Sequence, residues 1–170
     1  MTHDAPPASV HAIEIHPDQG EIGRALAWLE TQAEAAELPM RAMFALNLGL
    51  DETLANIVMH GFREPAPSDQ ASSGSPTEQL RDPATGAPIV HIECSSDEEA
   101  FDLTVRDNGK PFDPTAQASA ELAESLEEAT LGGHGLRLMR HFLHHLHYER
   151  IQGWNVLRMR MLRKESPESA

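Results

Sequence analysis

Several things are scarce in this chain. Of its 170 residues only one is cysteine, Cys94, so no disulfide can form within it and the composition suits a reducing compartment. Aromatic residues make up 5% against 40% hydrophobic, which calls for an aliphatic, methionine-filled core. Basic residues are few: 13 Lys and Arg stand against 27 Asp and Glu, a formal charge of −14. Binding a phosphate backbone needs a basic surface, so neither nucleic acid nor an anionic membrane is an expected partner. The charge does not exclude a nucleotide, because backbone N–H groups and a metal ion can hold phosphates. No apolar run approaches membrane-spanning length, and the opening MTHDAPPASV lacks the basic-then-apolar pattern of a secretory signal. The expectation is a single cytoplasmic domain large enough for a proper core.

What is present centres on residues 47–61, NLGLDETLANIVMHG. Read as a helix, Leu46, Leu50, Leu54, Ile57 and Val58 share one arc and Gly49, Glu52, Asn56 and His60 another. Glu52 and Asn56 are one turn apart on the polar arc. A carboxylate there can take a proton from a hydroxyl, and an amide oxygen beside it can ligate a hard cation such as Mg²⁺. Alone, such a pair is more often a solvated polar face.

Around it the pattern alternates between strand and helix. Residues 10–15 (VHAIEI) read as a short strand, with Val10, Ala12 or Ile13, and Ile15 as core candidates. Pro17-Asp18 starts a helix over 21–38 that Pro39 ends, and the central helix follows over 41–61 with Gly61 as a possible cap. Residues 63–88 are rich in Ser, Pro, Ala and Asp and read as a mobile loop. A hairpin comes next: 89–94 puts Val90, Ile92 and Cys94 on one face, and Phe101, Leu103 and Val105 alternate with polar residues on the second strand. That strand runs into DNGKPFDP, residues 107–114, a Gly- and Pro-bearing turn able to present a carboxylate at a pocket mouth.

Residues 115–131 carry no Lys or Arg and read as a lid. They lead to Gly132-Gly133-His134-Gly135 and an amphipathic helix over 136–146. A Gly-rich turn opening a helix can hold an anion on free N–H groups. A second hairpin, 147–151 and 154–162 about Gln152-Gly153, closes the fold before a polar tail. His141 and His145, one turn apart in the helical reading, could pair on zinc, but a solvated face is the simpler expectation. Trp28 and Trp154 are expected to pack rather than stack on a ligand.

The stretches FALNLGLDETLANIVMHGF, LTVRDNGKPFDP and LGGHGLRLMRHFLHHLHYERIQGWNVLRM, in that order, resemble the Bergerat-fold (GHKL) ATPase superfamily. They are most similar to its small branch of anti-sigma-factor serine/threonine kinases, which carry a histidine-kinase-like ATPase domain. The likeness covers nearly all of residues 10–162. It implies an α+β two-layer sandwich: a mixed, mostly antiparallel sheet of about five strands covered on one face by three main helices. It makes 10–162 one ATPase domain with a lid over 113–131, between flexible ends at 1–9 and 163–170. By the same resemblance Glu52 would be the general base and Asn56 the Mg²⁺ ligand. Asp107 would accept a hydrogen bond from the adenine amine, Gly109 would leave room for the ring, and Phe112 would line the pocket. Gly133 and Gly135 would bring the lid backbone to the phosphates. ATP and Mg²⁺ are the implied cofactors. The implied partners are a small antagonist protein as substrate, a sigma factor and a second copy in a homodimer. A nucleotide-holding module that sequesters a partner with little or no kinase activity is the alternative. Two features depart from the pattern: Asn155 stands where the family often has Thr near adenine, and His134 lies where Arg is frequent.

Overall fold

The computed structural model describes residues 9–62, 87–117 and 143–163. Two helices of 17 residues lie against a five-stranded sheet of order β1-β2-β3-β5-β4. The strands are β1 (Ser9–Ile15), β2 (Val90–Ser96), β3 (Ala100–Asp107), β4 (His145–Ile151) and β5 (Trp154–Leu162). The helices are α1 (Gln19–Ala35) and α2 (Met40–Asn56), with a short α3 (Pro114–Gln117) after β3. Every strand pairing is antiparallel, so the sheet is not mixed as expected. Connectivity accounts for two of the four pairings: β2–β3 and β4–β5 are hairpins, and a hairpin can only pair its strands antiparallel. Two main helices cover the sheet among the described residues, rather than three; most of the expected 136–146 helix lies outside them.

Asp18 caps α1, its carboxylate accepting from Gly20 N at 2.8 Å. The helix stops at Ala35, three residues short of expectation. Glu37 takes a left-handed φ of 52°, Leu38 N donates to Ala33 O and Glu37 N to Glu34 O. That pair of bonds is a Schellman termination, and it folds Leu38 back into the core. The chain then turns at Pro39 into α2.

The central helix buries Leu46, Leu50, Leu54 and Ile57 as its spacing dictates. Its last turn is not α: Ile57–Gly61 forms a π-helical turn. Val58 is only half-buried in this turn and His60 is exposed. Gly61 ends this turn without a left-handed φ, so it is not a glycine cap.

On the sheet, Val90, Ile92, Cys94, Phe101, Leu103, Val105, Leu157 and Met159 form the inner face and meet Ala25, Leu29, Leu46, Leu50 and Leu54. Burial of this kind contributes about 25 cal/mol per Å² of apolar surface. Val10 is not part of it: it is 59% exposed, because alternation from the inward Ile15 and Ile13 puts it on the outer face, opposite Ser95. The outer face also carries Trp154, which touches the His91 ring at 5.2 Å and lies under the Arg106 guanidinium at 5.3 Å. Gln152 and Gly153, with φ of 48° and 88°, make the tight turn between β4 and β5 that Gln-Gly suggests. His145 belongs to β4, so the helix cannot run to 146 and His145 is not a turn away from a helical His141, which lies outside the described residues.

Candidate active site

The site lies where the inner face of the sheet ends under the C-terminal part of α2. Alternation along β3 puts Phe101, Leu103 and Val105 inward, and the next inward position is Asp107, 5% exposed. A carboxylate at that depth needs partners. Asp107 Oδ1 accepts from Gly109 N and from Asn155 Nδ2, both at 2.9 Å. Burial pushes the Asp107 carboxyl above its ordinary pKa; the Asn155 and Gly109 hydrogen bonds and the Arg150 charge pull it part of the way back.

Gly109 is there for space. A Cβ on it would stand 2.8 Å from Asp107 Oδ1 and 2.8 Å from Gly61 O. The close approach is fixed by Lys110 N, which donates to Gly61 O at 2.8 Å and ties the turn after β3 to the π turn. Asn108 anchors the other side, accepting from Ile89 N at 2.9 Å and donating to Ala87 O at 2.8 Å. The DNG stretch is thus a rigid corner, held to α2 on one side and to the start of β2 on the other.

Thr53 and Asn56 of α2, Ile57 and Gly61 of the π turn, Val105 and Asp107 of β3, and Lys110 and Phe112 of the turn line a pocket. Pro114, Tyr148, Asn155 and Leu157 complete it. Its free volume is about 30 Å³, room for about one water. A nucleobase would need this space to widen. A larger hollow among the described residues, about 470 Å³, is at the opposite end of the sheet, lined by His11, Gln32, Cys94 and Arg163. Size and chemistry point to different ends, and chemistry decides: Asn56 of the Glu–Asn pair and the buried Asp107 line the small pocket.

Of the residues singled out in the sequence, Asn56, Asp107 and Phe112 line one pocket, and Gly109 stands directly behind Asp107. Glu52 is half-buried beside Asn56, whose Nδ2 comes within 3.5 Å of Glu52 Oε1, the outer edge of a hydrogen bond. That contact turns the Asn56 amide oxygen away from Glu52, where it could serve a cation. Gly133 and Gly135 lie outside the described residues. Sequence reasoning missed Thr53, Tyr148 and Arg150. Thr53 sits between the two arcs of α2, its Oγ1 donating to Gly49 O at 2.7 Å. Tyr148 and Arg150 are inward positions on β4, which strand alternation could have flagged. The donor set, neutral and anionic oxygens with a glycine cradle, fits a nucleotide held with a hard cation. Among the described residues no group of three His, Cys, Asp or Glu could hold a metal by itself.

Sequence relationships agree with this geometry. The chain belongs to the family of histidine kinase-like ATPase domains, which matches residues 15–161, and ATP binding goes with that family. A curated relative is similar over much the same stretch. Serine/threonine-protein kinase BtrW of Bordetella bronchiseptica is 40% identical over 133 residues, which cover 78% of this chain and 80% of BtrW.

Proposed function

We propose that this protein is an ATP- and Mg²⁺-dependent serine/threonine protein kinase and anti-sigma factor. In a cytoplasmic partner-switching system it phosphorylates a small antagonist protein and, as a dimer, sequesters a sigma factor. The observation that carries the reading is the retained Glu52–Asn56 pair on α2, one turn apart, above a pocket floored by a buried Asp107. Similarity to a protein named a serine/threonine kinase supports the choice of kinase.

In this reading ATP with Mg²⁺ supplies the transferable phosphoryl group and a cation to spread its charge. Asp107 accepts from the exocyclic amine of the base, Phe112 packs on the ring, and Gly109 keeps the corner open for it. Asn56 holds the cation through its amide oxygen. Glu52 takes the proton of the substrate hydroxyl as that oxygen attacks in line, and the nucleoside diphosphate leaves. Residues 113–131 close as a lid, with Gly133 and Gly135 letting its backbone approach the phosphates.

The test is calorimetric binding of ATP with Mg²⁺, then phosphotransfer to candidate antagonist proteins. Wild type should bind, and Asp107→Asn should lose about 100-fold or more in affinity. Glu52→Ala should still bind yet transfer about 100-fold more slowly or worse. Binding by wild type without transfer to any antagonist would leave a nucleotide-holding module that sequesters its partner. Absence of binding would remove the kinase reading.

A further inference from the structure

Asn155 is the hub of the site's hydrogen bonds, and it is 6% exposed. Its Nδ2 donates to Asp107 Oδ1 at 2.9 Å and to Lys110 O at 2.8 Å. Its Oδ1 accepts from the Tyr148 hydroxyl at 2.8 Å and from Arg150 Nη1 at 2.7 Å, with Phe112 N a longer 3.4 Å away. A primary amide has two N–H donors and one oxygen with two lone pairs. Both donors and both lone pairs are engaged inside the protein, so nothing is left over for a base.

The network also fixes which way the amide faces. Inverted, its oxygen would stand against the Asp107 carboxylate and the Lys110 carbonyl, and its N–H groups against two donors. Three of the four short bonds would be lost, those with Asp107, Lys110 and Arg150, since only the Tyr148 hydroxyl could turn and accept instead. Arg150 secures this orientation from behind, since it does not line the pocket. The same Nη1 that bonds Asn155 also donates to Gly109 O at 2.9 Å. One guanidinium nitrogen therefore grips both partners of Asp107 Oδ1, the Asn155 amide and the Gly109 peptide. The arrangement is held at some cost, because Arg150 Nη2 is buried without a partner. With Oδ1 occupied twice, the oxygen of Asp107 that takes no bond from the described residues is Oδ2.

We propose that Asn155, clamped by Arg150, is a positioning residue for base selection: it fixes the Asp107 carboxylate so that Oδ2 faces the pocket, and makes no contact with the base itself. This rests on the reading of the pocket as a nucleotide site. Two consequences follow from the geometry. Selection of a 6-amino purine falls on one oxygen of one residue. It also depends on Arg150, a residue that touches neither the base nor the carboxylate.

The test compares ADP with its analogue lacking the 6-amino group, purine riboside 5′-diphosphate, by calorimetry with Mg²⁺ present. Wild type should prefer ADP by about tenfold or more, because the analogue leaves Asp107 unpaired. Arg150→Met should lower ADP affinity by about tenfold and leave the analogue within about threefold, so that the preference collapses. A merely structural role would lower both affinities in parallel, and that result, or an unchanged preference, would overturn the proposal. If Arg150→Met does not fold, Tyr148→Phe removes one bond to the Asn155 oxygen at little steric risk. It should reduce the preference about threefold, and a preference kept intact would be equally fatal. Equal binding of the two nucleotides by wild type would sink the positioning role but leave the nucleotide site standing. No binding of either would sink both.

Discussion

The two ends of the sheet solve opposite problems with neighbouring strands. At one end Asp107 closes β3 with a carboxylate 5% exposed, held by hydrogen bonds from Gly109 N and Asn155 Nδ2. At the other end Cys94 lies 2% exposed on β2, with burial pushing its thiol up to about 11. The Asp107 end is tightly filled, with space for about one water, whereas the Cys94 end borders a cavity of about 470 Å³. The contrast separates the size of a hollow from the chemistry of its lining. A site that must discriminate is tightly made, because its selectivity lies in fixed polar atoms.

The comparison can be broken most forcefully at Gly109. Gly109→Ala places a methyl 2.8 Å from the Gly61 carbonyl, which is backbone and cannot swing away. We expect a loss of about 1–3 kcal/mol in stability from overpacking, read by denaturant unfolding, with nucleotide binding lost as well. Insertion of a methyl at no measurable cost would mean that the corner is softer than its hydrogen bonds suggest.

At the other end the expected effect is on reactivity. A thiol raised to about 11 carries roughly a hundredfold less thiolate at pH 8 than an ordinary one. Iodoacetamide should therefore label Cys94 slowly in the native protein and fast after unfolding, and Cys94→Ala should leave nucleotide affinity unchanged. Rapid native labelling would show that the cavity beside Cys94 opens to solvent.

The smallest effect is a dependence on pH. The Asp107 carboxyl has a folded-state pKa above its unfolded value. Its favourable contribution is therefore complete below the ordinary Asp value and is lost as pH rises through the raised one. Asp107→Asn removes that loss. The melting temperature of the nucleotide-free variant, minus that of wild type, should grow as pH goes from acid toward neutral. A difference that shrinks instead would mean that the hydrogen bonds outweigh burial and hold the carboxyl low.

Much of this was legible in the chain itself. Period-two alternation gave β2, β3 and β5 with correct inward faces, as Val90, Leu103, Val105, Leu157 and Met159 show. Helical spacing placed Leu46, Leu50 and Leu54 inside and Glu52 and Asn56 together on another face. The misses have a common cause. Val10 is exposed because the register with β2 turns Ile13 and Ile15 inward and so turns Val10 out, and that register is set by pairing across the sheet. The π turn at Ile57–Gly61 changes the register of a helix whose sequence reads as α throughout. His145 joins a strand where helical periodicity had claimed it, since pairing with Arg160 on β5 outweighs local pattern.

By itself, then, the sequence determined which residues face the core, where the elements begin and turn, and the family to which the chain belongs. These depend on the spacing of residues near one another along the chain, and the chain records that spacing directly. Tertiary structure alone decided that Asn155 reaches Asp107 from 48 residues away with Tyr148 and Arg150 gathered behind it, and that the Gly109 corner rests on Gly61 O. A buried carboxylate must be satisfied by whatever groups the fold brings within about 3 Å, and distance in space is not written in distance along the chain.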